Sequence, residues 1–119
     1  MSSARIHATA DVASSARVGE GSSIWHYAQV REESVLGKNV IVGRGAYIGT
    51  GVTVGDNCKI QNYALVYEPA FLEAGVFIGP GVILTNDEYP RAVNPDGTQK
   101  SGSDWQATGV TIREGGGRA

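Results

Sequence analysis

The sequence is short of the groups that metal and redox chemistry draw on. It has one cysteine (Cys58), two histidines (His7 and His26), one methionine and four prolines in 119 residues. A lone cysteine excludes an internal disulfide. Cys58 also falls where small apolar residues recur, so it is expected as a buried small side chain rather than a nucleophile. No window approaches the roughly 18 apolar residues of a membrane span, and the opening "MSSARIHATADVASS" carries no long apolar stretch. A soluble, cytoplasmic protein without a membrane partner is expected. The net charge is only -2 and the lysines and arginines are scattered. No basic stripe of the kind nucleic acid requires is present, and a nucleic-acid role is not expected. Nowhere do apolar residues recur at the three-to-four spacing of an amphipathic helix, so helix is expected to be nearly absent. The length allows one domain with one continuous core.

What the sequence does have is glycine, seventeen in all, and a repeat. Aliphatic residues stand at every sixth position from Ile6, Val12 and Val18 through Ile48 and Ile60 to Leu84, without a gap. A second series follows four residues after each, from Ala10, Ala16 and Ser22 through Cys58 to Val82, and it is small or β-branched until Glu88. A six-residue unit of this kind reads as a short extended segment plus a tight bend. One aliphatic side chain points inward, a small residue lets the corner close, and Gly or Asn takes the bend conformation that other residues resist. Three such faces make a triangular coil of eighteen residues, and stacked coils pair as parallel strands about 4.8 Å apart. The fourteen ladder residues are expected to form the core.

This ladder, over residues 5 to about 84, resembles the hexapeptide-repeat family, whose fold is a left-handed parallel β-helix. The all-β single-stranded solenoid follows from the period, and the handedness is implied by the resemblance alone, since crossovers generally prefer the right hand. The family includes acyltransferases, carbonic anhydrases and structural proteins. The carbonic anhydrases of this fold gather three histidines around one zinc, whereas this chain has two. No metal site is expected. The stretches "IWHYAQVRE" (24–32), "KIQNYALVYE" (59–68), "TNDEYPRAVNPDG" (85–97) and "DWQATGVTIREG" (104–115) look like the N-acetyltransferases that act on a UDP-linked 2-acetamido-3-amino-2,3-dideoxyglucuronic acid for surface polysaccharide assembly. That resemblance implies a homotrimer, acetyl-CoA as acyl donor, a nucleotide-sugar acceptor and active sites between subunits.

The eighteen-residue register tests whether those stretches converge. It places Glu32, Thr50, Glu68 and Asn86 in one column, beside Arg31, Gly49, Tyr67 and Thr85. A second edge holds His26, Arg44, Asn62 and Pro80 next to Tyr27, Gly45, Tyr63 and Gly81. Solvated corners are the bland alternative for any one of these residues. Tyr27, Tyr63 and Trp25 could instead pack against a neighbouring subunit. For acetyl transfer, Asn86 is expected to orient the attacking amine through its side-chain carbonyl, with Glu68 or Asp87 as proton acceptor. Arg31 or Arg91 would pair with a carboxylate or pyrophosphate, and Asn62, Tyr63 and Tyr89 complete the expected substrate contacts.

Three segments are expected: coils over 1–86, a protruding loop over 87–109, and over 110–119 the start of a further coil with an atypical tail. The loop is rich in turn residues (Pro90, Pro95, Asp96, Gly97) and breaks the ladder, and insertions in solenoids commonly carry function. After Trp105 the chain reads "QATGVTIREGGGRA". There Ile112 resumes the ladder and Arg118 holds the next ladder position. Family members continue with several more coils that supply much of the acetyl-CoA cleft, so the resemblance implies a C-terminally shortened acetyltransferase. The alternative is a noncatalytic trimeric β-helix that retains at most nucleotide-sugar binding.

Overall fold

The computed structural model describes residues 3–103 and 107–118. Trp105 lies outside the described residues. Two-residue strands recur every six residues, beginning with β1 (Arg5–Ile6), β2 (Asp11–Val12) and β3 (Arg17–Val18). They continue to β13 (Phe77–Ile78) and β14 (Ile83–Leu84), and the described residues contain no helix. Every third strand pairs in parallel, giving one sheet of six strands and two of five. The first face carries β1 and β13, the second β2 and β14, the third β3. Pairing keeps the eighteen-residue register, as in Ile6 with Ile24, Val30 with Ile48 and Val66 with Leu84. This is the all-β parallel solenoid expected from the period, consistent with the left-handed winding of hexapeptide repeats.

Within each strand the first residue faces outward and the second inward, as the two-residue period of a strand dictates. From Ile24 to Leu84 every ladder residue is buried, and the small series beside it closes the corners. The first three ladder residues differ from expectation. Ile6 is 48% exposed and Val12 and Val18 are only partly buried, because no described coil lies beneath them.

Corners turn through left-handed backbone. Gly45, Gly81, Asn39 and Asn57 sit there at positive φ, and so do Tyr27 (φ 59°) and Tyr63 (φ 61°). A bulky residue in this conformation is uncommon. Three corners hold a buried small polar side chain: Ser34 donates within its own corner, to the Arg31 carbonyl at 2.8 Å, and two others also tie down the next coil. Ser22 Oγ accepts the Val40 amide at 2.9 Å and donates to the Gly37 carbonyl at 2.9 Å. Cys58 does the same thirty-six positions on: its Sγ accepts the Val76 amide at 3.4 Å and donates to the Glu73 carbonyl at 3.1 Å. The cysteine is fully buried, and burial pushes its thiol pKa up.

After Leu84 an unbroken repeat would put Glu88 at the small corner position and Pro90 at the inward strand position. A carboxylate and a residue without an amide hydrogen are both incompatible with those places. The chain leaves the coil instead. Its far end is a small hairpin, bridged at Val93 and Gln99, whose turn places Gly97 at φ 87°. Asp96 Oδ1 accepts the Thr98 amide at 3.0 Å and the Thr98 hydroxyl at 2.6 Å, and these bonds hold its carboxyl below the usual range. The Thr108 amide then donates to the Asn86 carbonyl at 2.8 Å, closing the neck of the insertion. The ladder resumes at β15 (Thr111–Ile112), with Ile112 stacked on Leu72 and 2% exposed. It ends in β16 (Gly117–Arg118), paired with β13.

Candidate functional site

The corner between the second and third faces gathers the residues of the first column. At its top, Asn86 Nδ2 donates to the Glu68 backbone carbonyl at 2.7 Å. That bond fixes the amide plane and leaves Asn86 Oδ1 without a partner among the described residues. Below it, the Glu68 side chain folds down over Gly49, where an added Cβ would fall on the carboxylate. Only glycine leaves this space. The Glu68 carboxylate makes no hydrogen bond to any described residue.

That is unusual for its place. On other corners the equivalent side chain staples the coil beneath: Asp56 Oδ1 accepts the Lys38 amide at 2.8 Å and Asn62 Oδ1 accepts the Arg44 amide at 3.0 Å. Glu73, one position before the next corner, instead reaches the coil above, where it accepts the Glu114 amide at 2.8 Å and pairs with Arg113 at 3.3 Å. Asn62 is therefore engaged through its carbonyl, which leaves its Nδ2 to face outward. Glu68 is not engaged in this way.

At the bottom of the column Arg31 is saturated. Its Nη1 lies 3.0 Å from Asp11 Oδ2, its Nη2 donates to Glu32 Oε2 at 2.8 Å, and its Nε donates to Glu32 Oε1 at 3.3 Å. The paired hydrogen bond raises the arginine pKa and lowers that of Glu32. Between these levels Tyr67 meets Tyr47 edge to face, with ring centroids 5.5 Å apart at 69°. Tyr47 was not singled out from the sequence, where it is simply an outward strand residue.

The insertion supplies the rest. Asp87, Thr85 and Glu88 face Thr108, Gly109 and Val110 across a hollow of about 190 Å³ at the neck. Asp87 Oδ1 accepts the Tyr89 amide at 3.2 Å. Tyr89 is 74% exposed. Arg91 is exposed as well and, among the described residues, its side chain donates only to the Pro90 carbonyl, at 2.8 Å. The structure thus joins Asn86 to Glu68, sets Asp87 beside them at the neck hollow with its carboxylate turned to the Tyr89 amide, and leaves Tyr89 and Arg91 exposed on the loop.

The second edge, between the first and second faces, is an aromatic and cationic column. The Arg44 guanidinium lies 4.9 Å over the Tyr27 ring and its Nε donates to Tyr63 Oη at 3.0 Å. The Tyr63 ring covers Gly45. His7 and His26 stack at 3.5 Å, and desolvation, then the His7 and Arg44 charges, lower the His26 pKa. A larger hollow of about 230 Å³ lies near this edge, lined by Arg5, Ile6, His7, Ser23, Ile24 and Trp25. It lies at the first described coil and holds none of the expected catalytic residues. Among the described residues no group of three His, Cys, Asp or Glu side chains is placed to hold a metal ion, and no helix is long and apolar enough to cross a membrane.

Comparison with known proteins agrees with this architecture. Residues 33–68 match the family model described as bacterial transferase hexapeptide (six repeats). No curated protein matches the sequence significantly. Among solved structures, the acetyltransferase domain of PglB from Neisseria gonorrhoeae is similar with a TM-score of 0.56 and 25% identity, over 69% of this chain and 49% of that one. The same domain in complex with acetyl coenzyme A is similar with a TM-score of 0.52 and 25% identity, over 67% and 51%. A point mutant of GDP-perosamine N-acetyl transferase from Caulobacter crescentus, in complex with CoA and GDP-perosamine, has a TM-score of 0.56 at 22% identity over 71% and 49%, a likeness of fold. The chain spans about half the length of these solved structures, and residues 33–68 of its ladder are similar to the hexapeptide repeat of bacterial transferases.

Proposed function

We propose that the protein takes part in acetyl transfer from acetyl-CoA to the amino group of a nucleotide-linked amino sugar. The observation that carries this reading is the pairing at the neck of the insertion. Asn86 is locked to Glu68 at 2.7 Å, and the Asn86 Oδ1 and Glu68 carboxylate remain unbonded on the same edge. Similarity to the acetyltransferase domain of PglB, solved with acetyl coenzyme A, supports the donor. The resemblance of its motifs to the UDP-3-amino-uronate enzymes of surface polysaccharide assembly supports a UDP-linked amino uronic acid as acceptor. The trimer with intersubunit sites rests on the same resemblance.

Acetyl transfer needs a neutral amine held in line with the thioester carbonyl and a place for the proton it loses. The Asn86 Oδ1 accepts one N–H and directs the nitrogen lone pair. As the N–C bond forms and the C–S bond breaks, Glu68 takes the amine proton, with Asp87 as the other acceptor, and that proton passes to the departing CoA thiolate. Arg31 is held by two carboxylates, so pairing with the uronate or pyrophosphate falls to Arg91, with Asn62 Nδ2, Tyr63 and Tyr89 as further substrate contacts.

The test is an acetylation assay that follows CoA thiol release with acetyl-CoA and UDP-2-acetamido-3-amino-2,3-dideoxyglucuronate. Thiol release that depends on the amino sugar supports the reading. Calorimetric binding of neither ligand would favour a noncatalytic scaffold, and binding of the UDP-sugar alone would favour a fold that keeps only the acceptor site.

A further inference from the structure

Tyr47 opens the strand Tyr47–Ile48 on the second face. Its partner Ile48 is fully buried, and Tyr47 itself points outward, between Gln29 below and Leu65 above. The ring is half-buried and tilted against Tyr67. Tyr67 stands between Val66 and Glu68 at the corner after the second face, so this contact puts the ring on the side of the corner that holds Arg31, Glu32 and Glu68, whose charges act on it. Its hydroxyl nevertheless makes no hydrogen bond with any described residue. A phenol partly withdrawn from water and left unpaired carries a desolvation cost, and in a well-packed protein such a group is commonly kept for a partner that arrives later.

The charges facing that hydroxyl say what kind of partner it is. Glu68, Arg31 and Glu32 act on it from the neighbouring corner, and Tyr67 from the ring contact. Arg31 is already balanced by Asp11 and Glu32. One guanidinium against Asp11, Glu32 and Glu68 leaves the corner net negative, and Glu68 is the carboxylate without a partner among the described residues, so an arriving cation is favoured and an arriving carboxylate is not. Burial, with the Glu68 charge second, pushes the phenol pKa up and keeps it a neutral group able to accept a hydrogen bond as well as donate one.

We propose that Tyr47 binds the amino group of the acceptor sugar, its phenol oxygen accepting an N–H while the Glu68 carboxylate balances the ammonium charge. The proposal rests on the acetyltransferase reading and adds a residue to it. The amine arrives protonated between Tyr47 and Glu68 and gives its extra proton to the carboxylate, which releases it to solvent. The neutral amine is then the nucleophile that Asn86 orients, and the second proton, lost as the N–C bond forms, goes to the again ionised Glu68 or to Asp87.

Tyr47→Phe tests this, since it keeps the ring and its contact with Tyr67 and removes only the oxygen. The full chain and the variant are titrated calorimetrically with UDP-2-acetamido-3-amino-2,3-dideoxyglucuronate and GDP-perosamine, and with the analogue of each that has a hydroxyl in place of the amine. Loss of one hydrogen bond to a charged group predicts about tenfold weaker binding of the amino sugar. Affinity for the hydroxyl analogue, KM for acetyl-CoA and the thermal midpoint should be unchanged. Equal amine affinity in the two proteins, or an equal loss for amine and hydroxyl ligands, overturns the role of Tyr47 and leaves the acetyltransferase reading standing. If the unaltered protein binds no nucleotide sugar, that reading fails and takes this role with it.

Discussion

Asn86 and Glu68 are eighteen residues apart in sequence and one coil apart in space, joined by a hydrogen bond of 2.7 Å from the Asn86 side-chain amide to the Glu68 carbonyl. The same asparagine accepts the Thr108 amide on its own carbonyl at 2.8 Å. One residue therefore ties the last regular coil to both ends of the insertion. Asn86→Ala should cost about 1–3 kcal/mol of stability, as the Glu68 carbonyl loses its donor. In an acetyl-transfer assay it should also lower kcat/KM by about a hundredfold or more, the scale of losing an orienting polar group. Asn86→Asp keeps the volume but replaces the donor with an acceptor facing a carbonyl, and should be no better than alanine in either measurement. Wild-type turnover by either variant would remove Asn86 from the reacting centre.

Gly49 is the floor under Glu68. A Cβ there would stand 2.8 Å from the Glu68 amide nitrogen and would meet its carboxylate. Gly49→Ala should cost about 1–3 kcal/mol as an overpacked site. Because the coil has to shift beneath Glu68, turnover should fall together with the melting temperature. An unchanged melting curve would mean that the corner yields without strain.

Cys58 and Ser22 close their corners by the same pair of bonds, so the cysteine acts as an acceptor and donor of serine size. Cys58→Ser should stay within about 1 kcal/mol of wild type, while Cys58→Val strands the Val76 amide and should cost about 1–3 kcal/mol. Denaturant titration of the two variants checks the order. Burial and the raised thiol pKa also predict slow labelling by a thiol reagent until the protein unfolds.

His26 is the pH-sensitive group of the aromatic edge. Its pKa is lowered in the fold by desolvation first and by His7 and Arg44 next, so below the ordinary histidine range the unfolded chain binds the proton more readily. Stability from this group is full above the unfolded pKa and is lost as pH falls through that value toward the folded one. Unfolding midpoints taken from pH 7.5 down to pH 5 should decline, and His26→Asn should flatten the decline. A parallel decline in the variant would assign the effect elsewhere.

The repeat was legible because its cause is local and periodic. One inward residue per six and one small residue at each corner follow from strand geometry and turn sterics alone, and they located the coils, the break after Leu84 and the return at Ile112. The column of Glu32, Thr50, Glu68 and Asn86 was legible for the same reason, since register is arithmetic once the coil length is known. The exposure of Ile6, Val12 and Val18 was not, because the pattern shows which way a side chain points and not whether another coil covers it.

Side-chain partnership lay further out of reach. Arg31 reads in the sequence as a free cation for a substrate anion, yet Asp11 and Glu32 both hold it. Asn62 reads as a ligand group, yet its carbonyl is spent on the Arg44 amide. Tyr47 gives no signal at all, since an aromatic residue on the outer side of a strand is ordinary, and only its contact with Tyr67 puts its ring on the side of the Glu68 corner. The sequence by itself determined the length of each coil and the residues stacked along each edge, because a fixed period leaves the backbone few alternatives. Only the tertiary structure decided which of those polar groups satisfy one another and which remain open, because that depends on rotamers and on neighbours one coil away.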